Sequence, residues 1–309
     1  MKQKFRSIIY FLAILFLTNT LIFPCTFFMA TKGGITFFGN NEDMIDSDTN
    51  IWFIPGEEGK FGSVYFGFNN GWPQGGMNEH GLCFDGASTP RVNLELSEDK
   101  EPYNGNLIYK IMEECTTVEE VIEMAEKYRF NALQGQGQLM FADRKGDAVI
   151  IGGPGKDSDI DIIRKKGDYM VLTNFLPNNP QMGGHPCQRY EIANEMLNKN
   201  MEPIVENFRS ILNAVHVEKV ARRSSATVYS NIFDLNNCEI YVYYFHNFSD
   251  VVKINLSDEL KKGPHAYKIR SLFPESKLPL KALADFDRGK EKMNSHYSLP
   301  DFIEFKKDR

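Results

Sequence analysis

Beyond its first two dozen residues, the 309-residue sequence has no apolar run long enough to cross a membrane. It has no Cys-x-x-Cys pair, and its six histidines show no metal-ligand spacing such as His-Glu-x-x-His. No structural zinc, no catalytic metal and no cofactor are therefore expected. A Pro/Gly/Ser-rich linker, a long charge run and an internal repeat are also missing, so residues 25–309 are expected to form one domain. Positive charge is in short supply: 35 Lys and Arg stand against 41 Asp and Glu, a net charge of -6. This balance argues against a nucleic-acid partner. The small basic clusters Arg164-Lys165-Lys166 and Arg222-Arg223 read as solvated loop charges.

What is present begins with the N-terminus. Lys2, Lys4 and Arg6 precede an almost purely apolar stretch from Ile8 to Leu17, and Thr18-Asn19-Thr20 breaks it. Residues 1–24 read as a secretory leader, with an apolar core shorter than the roughly 20 residues a spanning helix needs. The mature chain is expected to be secreted or periplasmic, without stable membrane insertion, and membrane-associated if the leader is kept. Five cysteines, Cys25, Cys83, Cys115, Cys187 and Cys238, would then meet an oxidising compartment. An odd count leaves at least one thiol free or paired between chains, and spacing fixes no pairing.

Most of the chain reads as β-prone runs around polar turns. Ile35–Gly39 and Gly62–Phe66 are short apolar runs. Gly75–Met77 and Leu82–Phe84 flank Asn78-Glu79-His80-Gly81. Gln138–Ala142 pairs with Ala148–Ile151, Ile160–Ile163 with Tyr169–Leu172, and Thr227–Ile232 with Glu239–Tyr244. Helical spacing marks Asn106–Tyr128, with a second start at Thr116-Thr117 followed by Glu119-Glu120, and also Cys187–Leu197 and Val205–Val215. The class is α+β, and two packed sheets covered by helices on the outside satisfy it.

The chemistry centres on Cys25, directly after the leader. At a new N-terminus, one residue carries both a thiol and an α-amine of pKa about 8, near enough to neutrality to take the thiol proton. The thiolate is the nucleophile, and no histidine is needed. Two other roles fit Cys25: a lipid-modified lipoprotein cysteine, which Pro24 disfavours, and a disulfide cysteine. Pro24 equally disfavours direct signal-peptidase cleavage, so an earlier cut near Thr20 followed by self-cleavage at Pro24-Cys25 is the expected route.

Cys25-Thr26-x-Phe28 and Phe38-Gly39-Asn40-Asn41-Glu42-Asp43 resemble the start of the N-terminal-nucleophile (Ntn) hydrolases. More narrowly, the sequence is similar to their linear amide C–N hydrolase group. That group holds choloylglycine hydrolases, penicillin V acylases and the acyltransferase acting on 6-aminopenicillanic acid. Gly76–Leu82 resembles the group's GMNEKGL hairpin, Val171–Asn174 its VLTN segment, Gln188-Arg189-Tyr190 its SRF segment and Thr227–Ser230 its late T-x-Y strand. The resemblance implies a four-layer αββα sandwich of two antiparallel sheets and a small-molecule N-acyl amide substrate. It implies Cys25 as nucleophile, Asp43 holding the α-amine, Asn174 donating to the oxyanion and Arg189 supporting the site electrostatically. Taken singly, Asp43 is a polar loop residue, Asn174 a turn starter and Arg189 a helix charge; their order behind Cys25 carries the catalytic assignment.

Three departures bear on substrate. Asn40 stands where bile salt hydrolases place an Arg. Ser88 falls where the group has an asparagine, so a second oxyanion donor there would be a backbone N–H. The stretch from Asn174 to Arg189 lacks a long insertion that helps related enzymes form tetramers. All three point away from bile salts. Trp52, Phe53, Phe66, Phe68 and Trp72 read as loop aromatics that border the pocket or join the core. Hydrolysis and acyl transfer by the same residues both fit, and a lipid-anchored or secreted binding protein of the same fold is the non-enzymatic alternative.

Overall fold

The structure is a computed structural model and describes residues 25–68, 71–133, 135–155, 159–218, 225–287 and 303–305. The leader, Pro24 and the Arg222-Arg223 cluster lie outside the described residues. The chain opens with β1 (Thr26–Lys32) and β2 (Ile35–Met44), a hairpin turned by Gly33 and Gly34 at φ 60° and 80°. Strands β3 (Thr49–Ile54), β4 (Ser63–Phe68), β5 (Pro73–Asn78) and β6 (Cys83–Ala87) follow as a meander. Helices α1 (Leu107–Glu114) and α2 (Val118–Lys127) lead to β7 (Gln138–Ala142), β8 (Ala148–Pro154), β9 (Ile160–Arg164) and β10 (Tyr169–Leu172). Then come α3 (Gln188–Lys199), α4 (Val205–Val215), β11 (Ala226–Asp234), β12 (Glu239–Tyr244) and β13 (Asn247–Asn255). The last elements are α5 (Leu256–Leu260), β14 (His265–Lys268), α6 (Leu280–Asp287) and β15 (Glu304–Phe305).

Two sheets result. One has six strands in the order β10-β1-β2-β11-β12-β13, the other nine in the order β15-β14-β3-β4-β5-β6-β7-β8-β9. Among the described residues, the pairings between these strands are antiparallel except β14 with β15. Strand alternation decides which sheet face each residue meets. On β1, Phe27 and Met29 enter the core between the sheets, while Phe28 and Ala30 pack against α3 and α4. On β6 and β7, Cys83 and Met140 face inward, while Phe84, Leu139 and Phe141 pack on α1 and α2. Three apolar cores between four layers therefore give the αββα sandwich, each large buried side chain contributing about 1.5–3 kcal/mol.

Helix boundaries follow local chemistry. Asn106 caps α1 by accepting from the Ile108 amide, and Thr117 with Glu120 forms a capping box on α2. The hairpin Gly76–Leu82 is fastened by Asn78, whose amide donates to the Met112 and Cys115 carbonyls at 3.0 and 2.8 Å. Its Oδ1 accepts from His80 and Leu82 N–H. Gly81 closes this turn at φ 75°, where a Cβ would stand 2.1 Å from the Leu235 carbonyl oxygen. This motif is structural, tying the sheet to the end of α1.

Two sequence expectations are corrected. β9 and β10 do not form a hairpin: β9 pairs with β8, whereas β10 leaves for the other sheet and pairs with β1. The polar stretch 164–168 is thus a crossing between sheets. Trp52, Phe53, Phe66 and Phe68 lie on strands and are buried in the cores; of the five aromatics only Trp72 borders the cavity described below. No described helix is long and apolar enough to cross a membrane. All five cysteines are free thiols.

Candidate active site

Cys25 immediately precedes β1 and continues its inward face with Phe27 and Met29, so the thiol looks into the space between the sheets. Register places Thr26 opposite Asn41, which brings β2 residues Glu42 and Asp43 beside Cys25. Alternation then splits the two acids. Glu42 shares the inward face with Phe38 and Met44, and Asp43 faces outward with Phe37, toward the helix layer. The Asp43 backbone N–H bonds to the Cys25 sulfur, and burial, followed by Glu42 and Asp43, raises the thiol pKa well above its ordinary value. In the uncut chain Cys25 is thus a neutral thiol.

The outward group is built from four elements. Thr227, at a bulge in β11, donates its hydroxyl to Asp43 Oδ1 and accepts from the Val217 amide at 2.8 Å. Arg189, in the first turn of α3, places Nη1 3.9 Å from Asp43 Oδ2. The same Nη1 donates to the Cys25 carbonyl at 2.7 Å and to the Thr26 hydroxyl. Arg189 Nη2 donates to Asn174 Oδ1 at 3.1 Å, fixing the Asn174 amide so that its Nδ2 faces the other way. Nδ2 donates to the Ser88 carbonyl at 2.9 Å. Ser88 therefore meets Asn174 through its carbonyl oxygen.

Asn174 sits in the loop after β10, and that loop is held from beneath. Gln138, the first residue of β7, donates Nε2 to the Thr173 and Phe175 carbonyls at 2.7 and 3.0 Å, one on each side of Asn174. The structure thus brings together Cys25, Asp43, Asn174, Arg189 and Ser88. Sequence reasoning missed Thr227 as the partner of Asp43, and Gln138 as the clamp of the Asn174 loop. A buried Gln in the otherwise apolar run Gln138–Ala142 was the available signal for the second.

Cys25, Glu42, Trp72, Ser88, Leu133 and Gln138 line part of a cavity of about 110 Å³. Behind Glu42 stands Asp85, on the inward face of β6 with Cys83 and Ala87. Burial, then the charge of Asp43, lifts the Glu42 carboxyl from 4.5 to about 8, against hydrogen bonds from Asn40 and the Cys25 thiol. Burial and Glu42 raise Asp85 well above the usual carboxylate range. The Tyr229 hydroxyl, pushed up by burial and then by Glu42, Asp85 and Cys25, completes this cluster. Among the described residues no group of three or more His, Cys, Asp or Glu is arranged to hold a metal ion.

The model of the acyl-coenzyme A:6-aminopenicillanic acid acyl-transferase family matches residues 29–250 of this sequence. The chain belongs to that acyltransferase family. The matched span begins just past Cys25 and includes Asp43, Asn174, Arg189 and Thr227. Solved structures similar to this family member include a mutant conjugated bile acid hydrolase from Clostridium perfringens, at 19% identity and TM-score 0.59, covering 78% of this chain and 94% of that one. A penicillin V acylase from Agrobacterium tumefaciens aligns at 17% identity and TM-score 0.60, covering 78% and 90%. A second variant of the Clostridium enzyme aligns at 18% identity and TM-score 0.60, covering 79% and 96%. The fold is that of the Ntn hydrolases. No curated protein matches the sequence.

Proposed function

We propose that this chain is an exported amidohydrolase that cleaves a linear, non-peptide C–N bond through a thioester on Cys25, once residues 1–24 are gone. The observation that supports it best is that Arg189 gathers the Cys25 carbonyl, Asn174 and Asp43 around one guanidinium, while Cys25 itself lines a cavity. In the uncut chain the Cys25 nitrogen is an amide and burial keeps the thiol protonated. Release of the α-amine supplies the missing base within the same residue.

The steps then balance. Sγ attacks the acyl carbon while its proton passes to the α-amine. The oxyanion accepts a hydrogen bond from Asn174 Nδ2 once that nitrogen turns from the Ser88 carbonyl. The α-ammonium returns the proton to the departing amine as the C–N bond breaks, and water then hydrolyses the thioester. Asp43, held by Thr227 and Arg189, orients the amine, and Arg189 offsets its charge. An amine in place of water gives acyl transfer, a second reading favoured by the acyltransferase family match.

A panel of N-acyl amides, assayed with and without amine acceptors, tests both readings. Wild-type protein is expected to release amine, and Cys25→Ala and Cys25→Ser to lose turnover with unchanged far-UV circular dichroism. Turnover surviving in Cys25→Ala would refute the proposal.

A further inference from the structure

The α-amine that serves as base exists only after residues 1–24 are gone. Before that, the Cys25 nitrogen is a peptide amide and burial holds the thiol protonated. Self-cleavage at Pro24-Cys25 therefore needs a base from elsewhere in the fold. Glu42 is in place for it. It shares the inward face of β2 with Phe38 and Met44, is 1% exposed, and its carboxyl is hydrogen-bonded with the Cys25 thiol. Both residues line the cavity of about 110 Å³, and among its described lining residues no other side chain is ionisable. Asp43 offers the sulfur its backbone N–H, but its carboxylate is turned to the opposite face and held by Thr227 and Arg189.

An acid is a costly choice for this position, where an apolar side chain would pack without the penalty of burying a carboxyl. Burial and the charge of Asp43 bring the Glu42 carboxyl to about 8, which suits a general base working near neutrality. The titratable groups that face it are the Cys25 thiol, Asp43 on its own strand, Asp85 on β6 and Tyr229 on β11. Burial raises Asp85 and Tyr229 as well, and neither lines the cavity at Cys25.

We propose that Glu42 is the catalytic base of self-cleavage, taking the Cys25 thiol proton while the residue is still joined to Pro24. This rests on the reading of Cys25 as a nucleophile exposed at a new N-terminus, and it adds the group that brings that terminus into being. The Glu42 carboxylate takes the proton from Sγ, and Sγ attacks the Pro24 carbonyl carbon, closing a ring through Cβ, Cα and the Cys25 nitrogen. The C–N bond breaks as Glu42 returns the proton to that nitrogen. A free α-amine and a Pro24 thioester on Sγ result, and water hydrolyses the thioester to a Pro24 carboxylate and the thiol. From then on the α-amine is the base, so Glu42 acts in this way once in the life of each chain.

The test follows release of residues 1–24 from the full chain by intact-mass spectrometry, after a jump from pH 5 to values between 6 and 9. Wild-type cleavage should quicken with pH and level off above about pH 8. Glu42→Gln should slow it about 100-fold at pH 7.5. The residual rate of that variant should keep climbing to pH 9, because its thiol loses the proton only to solvent. Glu42→Ala should be slow as well and should regain cleavage on addition of formate, a rescue that a merely structural role for Glu42 would not give. Glu42→Gln cleaving within a few-fold of wild type or with the wild-type plateau, or Glu42→Ala indifferent to formate, would overturn the proposal. A chain made with Cys25 directly behind an initiator methionine that the cell removes separates this from the amide chemistry. Amide turnover by that chain, with uncut wild type inert at Pro24-Cys25, would remove the role of Glu42 and keep Cys25 as the amide-cleaving nucleophile. Glu42-dependent self-cleavage without turnover of any amide in the panel would do the reverse.

Discussion

Replacing Glu42 with Gln should make stability less dependent on pH, and the size of the change follows from burial. The folded carboxyl is lifted from 4.5 to about 8. A group raised in this way contributes its full stability below the unfolded value, and that contribution is lost as pH rises through the folded one. Below about pH 4.5 both states are protonated, and the acid behaves much like the amide. Above it the unfolded chain ionises while the folded one does not, at about 1.4 kcal/mol per pH unit. The loss reaches a ceiling of about 5 kcal/mol near pH 8. Removing Glu42 also relieves Asp85, whose carboxyl it pushes upward, which adds in the same direction. Urea unfolding of wild-type and Glu42→Gln proteins at pH 5, 6, 7 and 8.5 reads this directly. The variant should gain on the wild type by several kcal/mol across that range. A difference that stays flat with pH would refute the claim that Glu42 is buried and protonated.

Asn174→Ala removes the side-chain N–H assigned to the oxyanion and should lower kcat by about 10²–10³ with little change in KM, measured by steady-state amide hydrolysis. Gln138→Leu leaves the Thr173 and Phe175 carbonyls without their donor and should destabilise the chain by about 2–4 kcal/mol in urea titrations, with a loss of turnover as the Asn174 loop loosens.

Helices and local hairpins were legible because their signals are local. Helical spacing with a second start at Thr116-Thr117 marks 106–128, and spacing alone marks 187–197 and 205–215; the helices stand at 107–114, 118–127, 188–199 and 205–215. Chain-distant pairing was not. The polar stretch 164–168 looks like a hairpin turn, and only the pairing of Phe27 with Leu172 shows that β10 belongs beside β1. The run Ile35–Gly39 was recognised as β-prone, but the strand continues through polar residues to Met44 because Asn40, Asn41 and Asp43 find partners on neighbouring elements. That continuation decides that Glu42 and Asp43 face opposite ways. Cys25, Asp43, Asn174 and Arg189 could be named from ordered motifs. Glu42 and Asp85 could not, since nothing local tells which sheet face they occupy.

Intact-mass and N-terminal peptide spectrometry of the exported protein, before and during exposure to an amide substrate, tests the central claim most directly. The account predicts a chain beginning at Cys25 with an unmodified α-amine, gaining the mass of the acyl group on its sulfur during turnover. An active chain that retains Pro24, carries a blocked amine, or holds the acyl group on another residue would contradict it.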